Sequence, residues 1–192
     1  MIEKLGLLAG DIGLSMGKSW VSKAIKFFQS WHTKDAKFSH AWIAINHEAC
    51  VEALAKVTIN RLSKYDAPDE RIEIYRIPLT DKERNDLFFG VTKEINRAYG
   101  WLKIPLVLFD AISTKVMFWK KEPVFFFTKY FGITSFRDCS QLVTWAIYKF
   151  TSYRFKNLDG NVVSWREMTP DHLYDLLQLP INEAKKVFWK GK

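Results

Sequence analysis

The sequence contains only two cysteines, Cys50 and Cys139, which are too few for a disulfide framework in a chain of 192 residues. The first ten residues lack the long apolar region of a secretory signal, because Asp11 follows at once. The longest apolar runs, such as residues 104–109, are far shorter than the roughly 20 residues of a membrane-spanning helix. We therefore expect no transmembrane segment and a cytoplasmic location, for a cellular protein or for a viral or phage product acting in a host cell.

The composition is that of a globular protein, with 48% hydrophobic and 16% aromatic residues. No linker, low-complexity tract or internal repeat is visible, so we expect one domain over residues 1–192. The chain carries 29 basic and 21 acidic residues and a net charge of +8, which makes an anionic surface or polymer a possible partner. No recognisable nucleic-acid fold accompanies this charge, and we expect no specific nucleic-acid partner.

Hydrophobic periodicity predicts an α+β fold, with a small antiparallel sheet packed against helices. Thr80 and Glu83 have the spacing of a capping box, and Thr169-Pro170 is typical of a helix start. The predicted strands cover residues 5–14, 38–45, 49–54, 71–77 and 162–165. The predicted helices cover residues 20–31, 80–98, 139–150 and 169–177, followed by a basic helix at about 181–192. Residues 99–136 form an aromatic-rich insertion, which we interpret as helices that cover the core and line part of a site.

The stretch that begins at Cys139 has the pattern of a helix N-terminus that carries a thiol. Apolar residues follow at helical spacing through Leu142, Val143 and Ala146, and Asp138 with Gln141 has the spacing of a capping box. Cys139 would then be the first helical residue, where the helix dipole favours a thiolate. The alternative is a small apolar residue at the start of a core helix.

A cysteine nucleophile needs an imidazole base and a polar group that orients the imidazole. Of the four histidines, His40 lies inside a predicted strand, whereas His32, His47 and His172 lie at helix ends or in a turn. Glu52 is a carboxylate in an otherwise apolar strand, where a buried acid needs a partner. An odd-length hairpin loop would put His40 and Glu52 on one face of the sheet, and an even-length loop would put them on opposite faces.

Four short motifs in this order resemble the circularly permuted NlpC-type papain-like cysteine hydrolases, and most closely their YiiX/YebB-like group. The motifs are Gly10-Asp11, Ser39-His40-Ala41-Trp42, Val51-Glu52-Ala53-Leu54 and Cys139-Ser140-Gln141-Leu142-Val143. The resemblance implies a permuted papain-like fold in which the nucleophile helix follows the histidine strand. It also implies that an amide bond of a peptide, an isopeptide or a peptidoglycan-type peptide is cleaved through a thioester acyl-enzyme.

Carried over to this sequence, the resemblance makes Cys139 the nucleophile, His40 the base and Glu52 the orienting residue. We expect no cofactor and no metal ion. We assign a second set of residues to the substrate side of the site, some from the motifs and some from the aromatic insertion. These residues are Asp11, Trp42, Ser140, Trp119 and Phe126.

Three other interpretations remain open. The lecithin-retinol-acyltransferase-like proteins share the permuted order and act on acyl lipids, but typically have a second histidine at the position of Glu52. A zinc site could use His32, His40, His47 and Cys50, although their spacing is irregular. A non-catalytic protein could bind acidic surfaces through its basic residues, which include Lys103, Lys115, Lys120, Lys121, Lys129 and the C-terminal lysines.

Overall fold

An antiparallel sheet forms the centre of the molecule in the computed structural model, which describes residues 2–16, 37–53, 56–67, 71–97 and 139–190. Within these residues the sheet has six strands in the order β4-β3-β2-β1-β5-β6. The strands are β1 (Ile12–Met16), β2 (His40–Ala44), β3 (Ala49–Ala53), β4 (Val57–Arg61), β5 (Arg71–Arg76) and β6 (Lys185–Lys190). The described part of the chain also contains three α-helices, α1 (Asp81–Thr92), α2 (Cys139–Phe150) and α3 (Pro170–Gln178). The predicted α+β class is thus confirmed.

Both faces of the inner strands are buried, because alternate strand residues enter two separate apolar clusters, whereas the edge strands β4 and β6 carry exposed residues. Ile43 and Val51 point to the face that packs against α2, whose inward residues include Val143 and Ile147. On the opposite face, Trp42 packs with residues of two 3-10 helices, Ile2–Leu5 and Leu62–Asp66. The second of these helices bears directly on the site described below.

Helix α1 begins where the sequence predicts and ends earlier. The Thr80 hydroxyl accepts a hydrogen bond from the Glu83 N–H, and the Glu83 carboxylate accepts one from the Thr80 N–H. The predicted extension to residue 98 is wrong, because Asn96 has a left-handed backbone (φ 67°) and donates its N–H to the carbonyl of Val57. The backbone therefore leaves the helix to continue the pairing at β4.

Helix α3 agrees with the prediction at its start. The Thr169 hydroxyl accepts a hydrogen bond from the His172 N–H at 3.1 Å, and Pro170 occupies the first turn. This arrangement satisfies one of the free N–H groups, while Pro170 has no N–H to satisfy.

The C-terminal segment corrects the prediction of a basic helix at residues 181–192. Residues Lys185–Lys190 form strand β6, which pairs antiparallel with β5. A short 3-10 turn, Pro180–Asn182, ends at Glu183, whose left-handed backbone (φ 49°) turns the chain out of any helical path. Two further elements differ from the sequence analysis. The predicted strand at residues 162–165 is a single bridge between Val162 and Lys156, and strand β4 was not predicted at all.

Candidate active site

His40 and Glu52 lie on the same face of neighbouring strands. Strands β2 and β3 pair with Trp42 opposite Glu52, so His40 is the diagonal neighbour of Glu52. The hairpin closes between Ile45 and Ala49, which leaves a three-residue loop. The loop is therefore odd in length, as the shared face requires. The His40 Nε2 atom lies 2.7 Å from the Glu52 Oε2 atom.

Glu52 is fully buried and accepts hydrogen bonds from four side chains. Its Oε2 atom accepts from His40 and from the Tyr65 hydroxyl, the latter at 2.8 Å. Its Oε1 atom accepts from the Asn60 amide at 2.6 Å and from the Lys64 ammonium at 2.5 Å. Each carboxylate oxygen thus accepts two hydrogen bonds, which fix the orientation of Glu52 and of the imidazole that it contacts.

The three donors to Glu52 other than His40 were not identified in the sequence analysis. Asn60 comes from β4, where Thr58 lies opposite Glu52 and places Asn60 diagonally across from it. Lys64 and Tyr65 come from the 3-10 helix Leu62–Asp66, which crosses the same face. The polar residues Thr58 and Asn60 alternate with Val57 and Ile59, and this alternation was the one available signal. Nothing in the sequence indicated the path of the following 3-10 helix.

Cys139 is the first residue of α2 and is buried, with 3% of its surface exposed. Its side chain hydrogen bonds with the His40 imidazole. The other cysteine, Cys50, lies mid-strand on β3, and its thiol donates to the Asn60 carbonyl at 3.7 Å. Burial and the charge of Glu52 raise the pKa of the Cys50 thiol far above its usual range. Within the described residues, Cys139 is therefore the thiol that faces an imidazole.

The electrostatics of the site favour a charged imidazole beside a charged carboxylate. Burial lowers the pKa of His40, but the charge and hydrogen bond of Cys139 and those of Glu52 raise it, with a net pKa of about 9. Burial raises the pKa of Glu52, but His40 and then Lys64 lower it through hydrogen bonds and charge, to about 2. At neutral pH the buried carboxylate is therefore ionised, and the imidazole is protonated next to Cys139.

Polar residues at the start of α2 anchor the helix to the segment that precedes α3. The Ser140 hydroxyl donates to the Met168 carbonyl at 2.7 Å, and the Gln141 amide donates to the Arg166 carbonyl at 2.6 Å. Both bonds tie the N-terminus of α2 to the segment just before α3. Ser140 is fully buried, which shows a structural role for its hydroxyl, and its predicted contact with substrate stays a prediction.

Two other residues that were predicted to lie on the substrate side of the site are buried. Asp11 is fully buried and binds Arg76, with Oδ2 2.6 Å from Nη2, near the Ala44 end of β2 and not the His40 end. Trp42 is fully buried beneath the site, with its ring stacked on Tyr65 at a centroid distance of 5.1 Å. Both residues support the fold around the site, and their burial does not favour the predicted contact with a substrate, which stays a prediction.

The remaining predicted substrate residues, Trp119 and Phe126, lie outside the described residues, as do Asp138 and His32. The whole of the predicted aromatic-rich insertion, residues 99–136, also lies outside the described residues. Of the histidines in the zinc interpretation, His47 is exposed in the β2–β3 turn beside Glu48. Within the part of the chain that the structure describes, no three His, Cys, Asp or Glu side chains are arranged to hold a metal ion. No helix among these residues is long and apolar enough to cross a membrane.

Comparisons with known proteins give a relationship at the level of fold. No protein-family model matches the chain, and a search of curated proteins found no match. Among solved structures, the crystal structure of the metalloprotein yiiX from Escherichia coli O157:H7 is similar, with a TM-score of 0.51 and 15% sequence identity. The similarity covers 78% of this chain and 69% of that one. The chain therefore has an α+β fold similar to that of yiiX, the protein for which the predicted group is named.

Proposed function

We propose that this protein is a cysteine hydrolase that cleaves an amide bond with a Cys139-His40-Glu52 triad. The observation that carries the proposal is the unbroken line of side-chain contacts from Cys139 through His40 to Glu52. In nucleophilic catalysis these three positions correspond to the nucleophile, the base and the group that orients the base. The first residue of a helix is also a position that favours a thiolate.

The geometry supports a reaction in two stages. Glu52 holds the Nε2 atom of His40, which leaves Nδ1 to exchange a proton with Cys139. The Cys139 thiolate attacks the carbonyl carbon, and His40 donates its proton to the departing amine as the carbon–nitrogen bond breaks. A thioester on Cys139 remains. His40, now neutral, takes a proton from water, which attacks the thioester and releases the carboxylic acid and the thiol.

The N-terminus of α2 supplies the electrostatic part of this mechanism. Negative charge develops on the carbonyl oxygen during both attacks, and free backbone N–H groups at a helix N-terminus can stabilise it. We assign this role to the backbone N–H of Cys139. The bonds from Ser140 and Gln141 to the segment before α3 hold these groups in place.

The proposed fold is the permuted papain-like arrangement of the NlpC type. Its support is the order of elements along the chain, because the His40 strand β2 precedes the Cys139 helix α2. The similarity to yiiX supports the α+β fold within which we propose this order. The proposed substrate is a peptide, an isopeptide or a peptidoglycan-type peptide. A lipid-directed acyltransferase or thioesterase of the same permuted type is the alternative, followed by a non-catalytic basic binding protein.

The metalloprotein description of yiiX raises the question of whether a metal ion fits the same residues. Thiolate, imidazole and carboxylate are all zinc ligands. The arrangement does not suit a metal ion, because both oxygens of Glu52 already accept two hydrogen bonds each, and one of these comes from His40 Nε2. We therefore propose a reaction that uses no metal ion.

The experiment is an activity screen of the purified protein against peptides, isopeptides, peptidoglycan peptides and acyl esters, with mass spectrometry of the intact protein. We expect hydrolysis of an amide and a transient mass increase that maps to Cys139. The matched control is Cys50→Ala, which should leave both unchanged, while Cys139→Ala should lose both. Elemental analysis of untagged protein and assays with EDTA accompany the screen. Stoichiometric zinc that is lost together with activity would refute the metal-free mechanism, and exclusive turnover of acyl esters would favour the lipid alternative.

A further inference from the structure

Lys64 is a surface lysine whose ammonium group reaches a fully buried carboxylate. Its side chain is 41% exposed, and its Nζ atom lies 2.5 Å from Glu52 Oε1. The orienting residue of a triad needs to hold only one imidazole nitrogen, and Glu52 does this with its other oxygen, Oε2. The orientation of His40 therefore does not explain why Glu52 also contacts Lys64.

The charges around His40 explain what Lys64 adds. In the reactive state the imidazolium of His40 lies between two anions, the Cys139 thiolate and the Glu52 carboxylate. These three groups alone carry a net charge of −1, and an uncompensated charge in a buried site is unfavourable. The ammonium of Lys64 brings the four groups to neutrality. Its 5.2 Å cation–π contact with the Tyr65 ring holds it over the site.

We propose that Lys64 is a positioning residue that completes a charge-neutral quartet with Cys139, His40 and Glu52. It keeps Glu52 ionised and limits how strongly Glu52 retains the proton on His40. This inference rests on the proposed function, because His40 must become neutral to activate water in the second stage. Without Lys64, the full charge of Glu52 would act on His40, and the imidazole would remain protonated to a higher pH.

The other groups that face Glu52 cannot take this role. Asn60 and Tyr65 donate hydrogen bonds but carry no positive charge. Cys50, on the same strand as Glu52, has a thiol whose pKa is raised by burial and stays neutral. Among the described residues in contact with Glu52, Lys64 and His40 are the two that can be cationic.

The test compares Lys64→Met with the matched control Lys82→Met. Lys82 also forms an ion pair, with Asp86 at 3.1 Å, but on an exposed helix surface away from the site. The rate at which iodoacetamide alkylates Cys139 is measured against pH, and the upper limb of the profile reports loss of the His40 proton. We expect Lys64→Met to move the midpoint of this limb to a higher pH by about 0.5–1 pH unit, because a nearby positive charge has been removed. The pH profile of Lys82→Met should be the same as that of the wild type.

Two further measurements separate the possible outcomes. Lys64→Arg retains the charge and should restore the wild-type profile, whereas a shift as large as that of Lys64→Met would overturn the charge argument. NMR titration of the His40 ring should show the same upward shift in Lys64→Met and in Lys64→Gln, and equal midpoints in all variants would overturn the inference. An unreactive Cys139 in the wild type would instead refute the proposed function.

Discussion

The hydrogen bonds around Glu52 lead to a quantitative prediction for Glu52→Gln. The folded protein lowers the pKa of Glu52 from 4.5 to about 2, and each pKa unit corresponds to about 1.4 kcal/mol. The carboxylate therefore contributes about 3 kcal/mol to the free energy of unfolding at neutral pH. Glutamine has nearly the same shape but no charge, and its amide nitrogen would face donors such as Lys64 or Tyr65. We expect Glu52→Gln to lose about 3 kcal/mol or slightly more at pH 7.

The same linkage predicts how this loss depends on pH. A group whose pKa is lowered on folding contributes fully above its unfolded pKa, here about 4.5, and loses its contribution as the pH falls towards about 2. At pH 3 the difference between wild type and Glu52→Gln should therefore fall to about half of its value at pH 7 or less. Titrating groups that do not contact Glu52 affect both proteins equally and cancel in the difference, whereas His40, whose pKa Glu52 raises, adds its own pH dependence near neutral pH.

The assay is urea-induced unfolding followed by tryptophan fluorescence at several pH values between 3 and 7. Asp86→Asn is the control, because Asp86 forms an exposed ion pair with Lys82 and should change stability by no more than about 0.5 kcal/mol. A Glu52→Gln difference below 1 kcal/mol at pH 7, or one that does not change with pH, would show that the four donors do not hold an ionised carboxylate.

Three other predictions follow from the site and the sheet. Iodoacetamide at neutral pH should label Cys139 before Cys50, whose thiol pKa is raised by burial, as peptide mapping would show. Cys139→Ala and His40→Ala should each abolish turnover while retaining the fold, and the double variant should be no worse than either single one, since the residues act as a unit; near-normal turnover of His40→Ala would require another base. Gly13→Ala should lower the melting temperature strongly, because its Cβ would lie 2.0 Å from the buried Trp42 ring, and an unchanged melting temperature would contradict this packing.

The elements that the sequence predicted correctly are those specified by local interactions. The capping box of Thr80 and Glu83, the Thr169 cap and the helical spacing after Cys139 each involve residues within a few positions of one another. The β2–β3 hairpin was predicted as an element, but the sequence left open whether its loop is odd or even in length, and only the structure shows the three-residue loop that puts His40 and Glu52 on one face. Local patterns therefore sufficed for the fold class but not for the shared face of His40 and Glu52.

The elements that the sequence did not predict depend on contacts between distant parts of the chain. Strand β6 contains lysines and apolar residues in a short stretch, and its extended form comes from pairing with β5, more than a hundred residues earlier. The donors to Glu52 have the same origin. Lys64 and Tyr65 reach the carboxylate because the 3-10 helix after β4 folds back over the sheet, and no spacing rule connects them to residue 52.

These donors also bear on the choice between amide and lipid chemistry. The lipid-acting proteins with the permuted order typically have a histidine where this chain has Glu52. A neutral imidazole can accept a hydrogen bond at one nitrogen only, whereas the carboxylate accepts four. The donors Asn60, Lys64 and Tyr65 are thus matched to a carboxylate at position 52. A substitution of residue 52 alone leaves these donors unchanged and so does not make the surroundings suitable for an imidazole. We expect Glu52→His to lower the melting temperature more than Glu52→Gln and to create no activity on acyl esters. Stable, ester-active Glu52→His protein would show that the donors do not discriminate between the two chemistries.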